Sequence, residues 1–169
     1  HHGFEWNCFE NISSAQTKQL EEKYNISSNQ HPVIGVISRY TQWKGVQYII
    51  PAFQQLLNEY PNALLILCNA TGSYQTEINR LLKKLPDNSY LEIHFENDIF
   101  AMYSIFDVFI HTPIDMHSEA FGQTYIEALA MRIPSIFSLS GIAPEFIMDK
   151  KNAIVVSHKD SDSIYKSMK

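Results

Sequence analysis

Cysteine is scarce: Cys8 and Cys68 are the only two in 169 residues. At most one bridge could form, which excludes a disulfide-built scaffold. Cys68 follows Leu67 in an apolar run and reads as a reduced core thiol, so the expected location is a reducing, cytoplasmic one. Basic charge is short as well. Thirteen Lys and Arg against 18 Asp and Glu give a net charge of -5, which argues against general electrostatic attraction to nucleic acid or an anionic membrane. Such a count still hides one or two cations placed for a diphosphate. No run approaches the roughly 18 apolar residues of a membrane span, and the start does not read as a signal peptide. Phosphate-loop patterns are missing too: neither G-x-G-x-x-G nor Gly-Lys-Ser/Thr occurs, which weakens phosphate-loop NTPase and dinucleotide dehydrogenase readings. Nor does the chain contain the H-E-x-x-H zinc pattern or the G-x-S-x-G elbow of hydrolases.

What is present is a globular composition, 45% apolar and 18% charged, sufficient for one domain with its own core. Segment 1–31 reads as a leading stretch and interdomain linker, polar from Cys8 to His31 with a short helix around Gln16 to Tyr24. His1 and His2 read equally as a tag remnant or as native linker residues. From Pro32 to Lys169 the chain alternates strand and helix. Continuous apolar runs mark strands at Val33–Ser38, Ala63–Cys68, Leu91–Phe95, Asp107–His111, Ser135–Leu139 and Ala153–Ser157. Helical spacing covers Lys44–Glu59, with Pro51 inside it, then Tyr74–Leu85, a short segment capped by Asp98, Thr124–Met131, a short turn at Pro144–Met148, and the opening of a last helix at Asp160. Strands buried on both faces and separated by helices predict a three-layer, Rossmann-like α/β domain with a mainly parallel sheet of about six strands. Its binding site is expected at the carboxyl ends of the strands, in the loops 39–45, 69–75, 111–122 and 140–145.

The densest chemistry lies between His117 and Ala130, H-S-E-A-F-G-Q-T-Y-I-E-A-L-A. Glu119 precedes a glycine break and Glu127 follows eight positions later, inside the helix that opens after it. Phe121, Gly122, Gln123 and Thr124 form a turn whose free N–H groups suit an anion at the positive end of the helix. The alternative is an ordinary glycine loop with Thr124 as N-cap. Glu119 could accept sugar hydroxyls or stabilise charge at an anomeric carbon. Glu127 suits a vicinal diol such as ribose, or it is a solvent-facing helical residue. Because its helix is apolar on most sides, a carboxylate there needs a partner.

Arg39 after the first strand and Lys44 at the mouth of the next helix could clasp a diphosphate, the first by its guanidinium fork and the second as a point charge. A solvated loop charge and a helix-start lysine are the plain alternative. His111, Asp115, His117 and Glu119 crowd one loop, but nothing fixes a metal geometry, and no metal is expected. His111 reads as a hydrogen-bond donor lining the cleft. Glu145 orients a loop wall or caps a short helix in solvent.

These pieces together resemble the C-terminal, donor-binding domain of the group 1, or family 4, retaining glycosyltransferases of the GT-B fold. They are Arg39 with Lys44-Gly45, Glu119 to Glu127 around Phe121-Gly122, Glu127-Ala128-Leu129-Ala130 leading to Pro134, and Pro144-Glu145. The resemblance runs from a possible interdomain segment at His2-Gly3-Phe4 to Phe9 through the Asp160 region. It implies one half of a GT-B fold whose N-terminal acceptor domain is not in this chain. The donor would be a UDP-, GDP- or ADP-sugar bound as substrate, without cofactor or required metal. Arg39 and Lys44 match the residues that hold the diphosphate. Glu119 matches the glutamate that meets the transferred sugar, and these three would carry the catalytic role. Phe121, Gly122, Gln123 and Thr124 match the turn whose backbone reaches sugar and phosphate, and Glu127 the ribose-binding glutamate.

The acceptor, a glycan or lipid-linked sugar, would be held by the absent domain, which could bring the whole enzyme to the cytoplasmic face of a membrane and into polysaccharide biosynthesis. Three positions depart from the pattern: Arg132 and Ile142 where glycines are usual, and Ala153 where Asn-Gly is expected after Asn152. Ile142 would crowd the sugar and narrow donor choice. Another nucleotide-sugar enzyme of this architecture, such as an epimerase, and a non-catalytic α/β interaction module are the rival readings.

Overall fold

The apolar runs become strands because both of their faces find cover. In the computed structural model, which describes Phe9 and residues 12–169, β1 (Val33–Ile37) and β2 (Leu64–Cys68) are buried at every position. With β3 (Tyr90–Ile93), β4 (Val108–His111), β5 (Ser135–Phe137) and β6 (Ile154–Val155) they form one six-stranded sheet in the order β3-β2-β1-β4-β5-β6. Every neighbouring pair is parallel. Cys8 and most of the expected interdomain segment from His2 to Phe9 lie outside the described residues.

The two-residue period of the strands sorts their side chains into two cores. Ile34, Val36, Leu65 and Leu67 face one layer, where they meet α2 (Val46–Leu56), α3 (Gln75–Leu82) and α6 (Ser161–Ser167) through Ile49, Phe53, Ile78 and Ile164. Val33, Ile37, Leu64 and Ile66 face the other, against α1 (Ser14–Lys23), α4 (Ile99–Tyr103) and α5 (Gln123–Ala130) through Leu20, Met102, Tyr125 and Ala128. The result is the three-layer α/β arrangement expected from the alternation of runs.

Element ends follow local chemistry. Asp98 and Asp160 cap α4 and α6 by accepting the backbone N–H of Ala101 (3.2 Å) and Ser163 (2.9 Å). The helix expected from Lys44 starts two residues later. Gly45 has φ +76°, and a Cβ there would run into the Thr112 carbonyl, so Gln42–Lys44 closes as a 3-10 turn before α2 opens. Pro51 lies inside α2, which continues through it to Leu56. The turn expected at Pro144–Met148 is a single 3-10 turn, Ala143–Glu145, and the strand expected at Ala153–Ser157 shortens to β6. Arg132, at a position where the resemblance calls for glycine, has φ +57°, the left-handed region that glycine occupies without steric cost.

The stretch read as linker and leading segment, 1–31, contains α1, and α1 is fastened to the sheet layer. Leu20 is in the core. Glu96, buried in the loop after β3, accepts from Lys23 Nζ (2.7 Å), Tyr24 OH (2.6 Å) and the Asp98 N–H (2.9 Å). Gln16 Nε2 adds a bond to Asp98 Oδ2 at 3.0 Å. Burial would raise the Glu96 carboxyl, but Lys23, Tyr24 and the Asp98 N–H outweigh it and hold the pKa at about 2.

The strand order reverses direction between β1 and β4. From β1 the chain proceeds outward through β2 and β3, then returns to place β4 on the other side of β1. Loops leaving the carboxyl ends of two such strands diverge and open a crevice, the usual ligand position in open α/β sheets. The loops that flank it here carry Arg39–Lys44 and Thr112–Gly122.

Candidate functional site

A cleft of about 440 Å³ opens at this reversal, with Arg39, Lys44, Asn69, His94, Phe95 and Thr124 among its walls. Each residue arrives from a strand end or helix start. Arg39 and Lys44 follow β1, Asn69 follows β2, His94 and Phe95 follow β3, and Thr124 lies in the first turn of α5. Arg39 is exposed. A larger cavity of about 850 Å³ lies toward the other end of α5, between Phe9, Ile126, Leu129, Met131 and Phe146. Its walls are largely apolar, whereas the paired cations and the open helix start belong to the smaller cleft.

Behind Lys44 stands Glu119. The lysine Nζ is in direct ion-pair contact with Glu119 Oε1, their side chains 18% and 12% exposed. The Glu119 N–H donates to Ser140 Oγ at 2.9 Å, which ties this loop to the end of β5. His111 closes the group from below. Its side chain is 1% exposed and its Nε2 lies 3.2 Å from the same Oε1. That approach is off hydrogen-bond alignment, and among the described residues Nε2 has no hydrogen-bond partner. Burial would raise the Glu119 carboxyl, yet His111 and Lys44 more than offset it and hold the pKa at about 2. The buried imidazole moves the other way. Desolvation pushes it below its ordinary value, Glu119 pulls it up, and Lys44 adds to the lowering.

Gly122 starts α5 with φ +67°, and no side chain caps that end. Added bulk at Gly122 would collide with the Tyr125 ring, whose buried hydroxyl donates to the Ser138 carbonyl at 2.7 Å. Thr124 therefore falls inside the helix, not at its N-cap. Phe121, 38% exposed, and Gln123 face outward beside the turn.

Glu127 does not face open solvent alone. Its Oε2 accepts from the hydroxyl of Tyr103, a fully buried side chain of α4, at 2.9 Å. Burial raises its pKa, against the hydrogen bonds from Tyr103 and Gln123. The same burial, with the neighbouring carboxylate, lifts the Tyr103 phenol well above its ordinary range. The partner expected for a carboxylate in an apolar helix is thus a tyrosine that the sequence did not single out.

The structure brings Arg39, Lys44 and Thr124 to one cleft and Glu119 against Lys44. It leaves Glu127 on the next turn of α5, joined to Tyr103. Asp115 and His117 are exposed and bond only locally, the His117 N–H to Asp115 Oδ1 at 2.8 Å. No group of three metal-ligating side chains forms among the described residues. Glu145 is exposed. His94 and Phe95 were missed because the loop after β3 was not counted among the binding loops. Its position at a strand's carboxyl end was the available signal.

The six-stranded parallel sheet, with helices on both faces and a reversal between β1 and β4, is a Rossmann-like domain of the kind found in GT-B glycosyltransferases. The chain belongs to the glycosyl transferases group 1 family, whose profile matches residues 17–169. It is 26% identical over 145 residues to the alpha-monoglucosyldiacylglycerol synthase of Acholeplasma laidlawii, covering 84% of this chain and 35% of that protein. The crystal structure of HepE from Anabaena in complex with UDP and glucose superposes with a TM-score of 0.84 at 24% identity, over 97% of this chain and 44% of HepE. The C-terminal domain of a group 1 glycosyl transferase (LpcC) from Francisella tularensis has a TM-score of 0.78 at 24% identity, over 98% of this chain and 86% of that one. The chain thus spans less than half the length of the first two proteins.

Proposed function

We infer that this chain is the nucleotide-sugar-binding domain of a retaining, family 4 glycosyltransferase, and that a second domain completes the enzyme. The observation that carries this reading is the convergence of Arg39, Lys44 and the open start of α5 on one cleft, with Glu119 held ionised behind the lysine. In this assignment Arg39 and Lys44 hold the donor diphosphate and the α5 N–H groups at Gly122–Thr124 complete its cradle. Glu119 faces the transferred sugar, and Glu127 takes the ribose diol. Phe95, 71% exposed on the cleft wall, is placed for a flat base. As the glycosidic bond breaks, negative charge grows on the leaving diphosphate. Fixed cations and helix N–H groups stabilise that state more than the intact donor.

The donor is a UDP-, GDP- or ADP-sugar. UDP and glucose in HepE support this class without fixing the base or sugar here. The acceptor, a glycan or a lipid-linked sugar, belongs to the second domain. The diacylglycerol in the name of the Acholeplasma relative favours a location at the cytoplasmic face of a membrane.

Calorimetric titration with UDP-, GDP- and ADP-sugars and the free diphosphates tests the assignment. Binding to at least one is expected, with little or no transfer by this chain alone. Failure of every one to bind overturns it.

A further inference from the structure

Two nitrogens converge on a single oxygen of Glu119. Lys44 Nζ touches Oε1, and His111 Nε2 stands 3.2 Å from it. Only one of the two side chains is free to leave. Lys44 rises from the turn at the lip of the cleft, on a flexible stem. His111 is fixed at the end of β4, with its ring edge-on to Tyr125 at a centroid separation of 4.7 Å. A lysine that turns from Glu119 toward a diphosphate leaves a carboxylate 12% exposed without its full counter-charge, a costly state inside a protein. The nearest other nitrogen is His111 Nε2, 3.2 Å away and without a hydrogen-bond partner among the described residues, so a small turn of the released carboxylate brings the two into line.

Resting on the donor-site reading above, we propose that His111 is a positioning residue that replaces Lys44 as the cationic partner of Glu119 when the lysine engages the donor diphosphate, so that donor binding takes up a proton from solvent. The balance is simple. One proton passes from the buffer to the neutral imidazole, the Lys44–Glu119 contact is lost, and an N–H···O bond from Nε2 to Oε1 replaces it. Glu119 stays ionised and aimed throughout.

The groups that face the imidazole are few. Glu119 from the loop after β4 raises it, and Lys44 from the turn after β1 lowers it together with burial. Tyr125 from α5 is held neutral, its phenol raised chiefly by burial. The flanking strands β1 and β5 carry no titratable side chain. Departure of the lysine removes a lowering influence and leaves the attraction of Glu119 in place. An arriving diphosphate acts in the same direction.

The test is calorimetry of UDP-, GDP- and ADP-glucose binding at about pH 7 in buffers of different ionisation enthalpy, since the diphosphate diester of these ligands has no ionisation of its own near that pH. Wild type should take up on the order of half to one proton per nucleotide bound. His111→Gln should bind without that uptake. Heats that do not depend on buffer in wild type, or uptake that survives in His111→Gln, overturn the proposal. A second measurement needs no ligand and no change at the buried histidine. In Lys44→Met, the His111 titration followed by NMR should move to higher pH, and an unchanged or lower midpoint overturns it. If none of the three nucleotides binds wild type, the donor-site reading falls and the coupling falls with it. Binding without proton uptake removes the coupling alone.

Discussion

Replacing Glu127 separates what this carboxylate does for the fold from what it does for a ligand. Glu127→Ala removes the acceptor of the buried Tyr103 hydroxyl, a bond of 2.9 Å between α5 and α4. An orphaned buried hydroxyl costs about 1–3 kcal/mol, so the urea midpoint should fall. Glu127→Gln keeps an acceptor for Tyr103 and discards a buried charge. Burial raises the Glu127 pKa, so the folded state disfavours the ionised form at neutral pH, and stability associated with this group is lost as pH rises through the raised value. The glutamine variant should therefore be as stable as wild type, or slightly more so. Under the ribose assignment both variants lose a charge-assisted contact to a diol worth about 1.5–3 kcal/mol, roughly ten- to hundredfold in Kd. Tyr103→Phe, which keeps the carboxylate but not its anchor, should weaken nucleotide binding only a few-fold. The assay is calorimetric titration with whichever nucleoside diphosphate binds wild type. Arg80→Ala serves as control, since Arg80 pairs with Glu77 on the exposed side of α3. If Glu127→Gln binds nucleotide as tightly as Arg80→Ala does, Glu127 is a structural partner of Tyr103 and the ribose role is refuted.

Further outcomes follow from the same geometry. Gly122→Ala combines a left-handed backbone with a collision against the Tyr125 ring; it should cost about 2 kcal/mol or more and reduce nucleotide affinity, and chemical denaturation with titration checks both. Arg132→Gly relieves a left-handed arginine at φ +57° and should add up to about 1 kcal/mol of stability; a drop in denaturation midpoint would contradict this. Glu96 and Glu119 both have folded pKa values of about 2, below the ordinary range of about 4.3. Their contributions are present above that ordinary value and lost as pH falls from about 4.3 toward 2. Urea midpoints should fall across this window in wild type and fall less in Glu96→Gln, whose own stability at neutral pH is lower.

The layered fold was legible because it depends on period and burial, and apolar runs such as Val33–Ile37 and Leu64–Cys68 carry both signals directly. Strand count and parallel pairing followed from the alternation of runs with helices. Element ends were less legible because they depend on contacts distant in sequence. Lys44 fits a helix by propensity, but the approach of the Thr112 carbonyl to Gly45 delays α2 by two residues. Arg39, Lys44 and Thr124 could be placed at one cleft because loops leaving the strand ends diverge and open a crevice where a parallel sheet reverses its order. The direct contact of Lys44 with Glu119 could not, since 75 residues separate them and no local pattern encodes the pairing. Tyr103 was hidden for the same reason. In sequence it is one more aromatic in an apolar helix, and only the packing of α4 against α5 shows that its hydroxyl answers Glu127. The fastening of α1 through Glu96 was likewise invisible, which is why 1–31 read as linker although α1 lies against the domain.

The two glutamates on either side of Gly122 show how one turn can hold unlike acids. Eight residues apart, they share a helix start but not an environment. Glu119 meets a lysine and a histidine and is held at about 2. Glu127, half-buried, meets the neutral donors Tyr103 and Gln123 and is raised. Pairs whose surroundings drive their pKa values apart commonly divide a task. Under the proposed assignment the division has a physical basis. A carboxylate facing an anomeric carbon must remain an anion while positive charge develops beside it, and a cationic neighbour that can be exchanged keeps it so without neutralising it permanently. A carboxylate gripping a diol needs its charge held in a fixed orientation, and Tyr103, held rigid in the core, supplies that orientation. The same reasoning explains why the cleft does not present two bare cations to solvent. Lys44 rests on Glu119, so nucleotide binding must first exchange that contact for one to phosphate. Under the same assignment, affinity in this chain is reduced by the cost of that exchange.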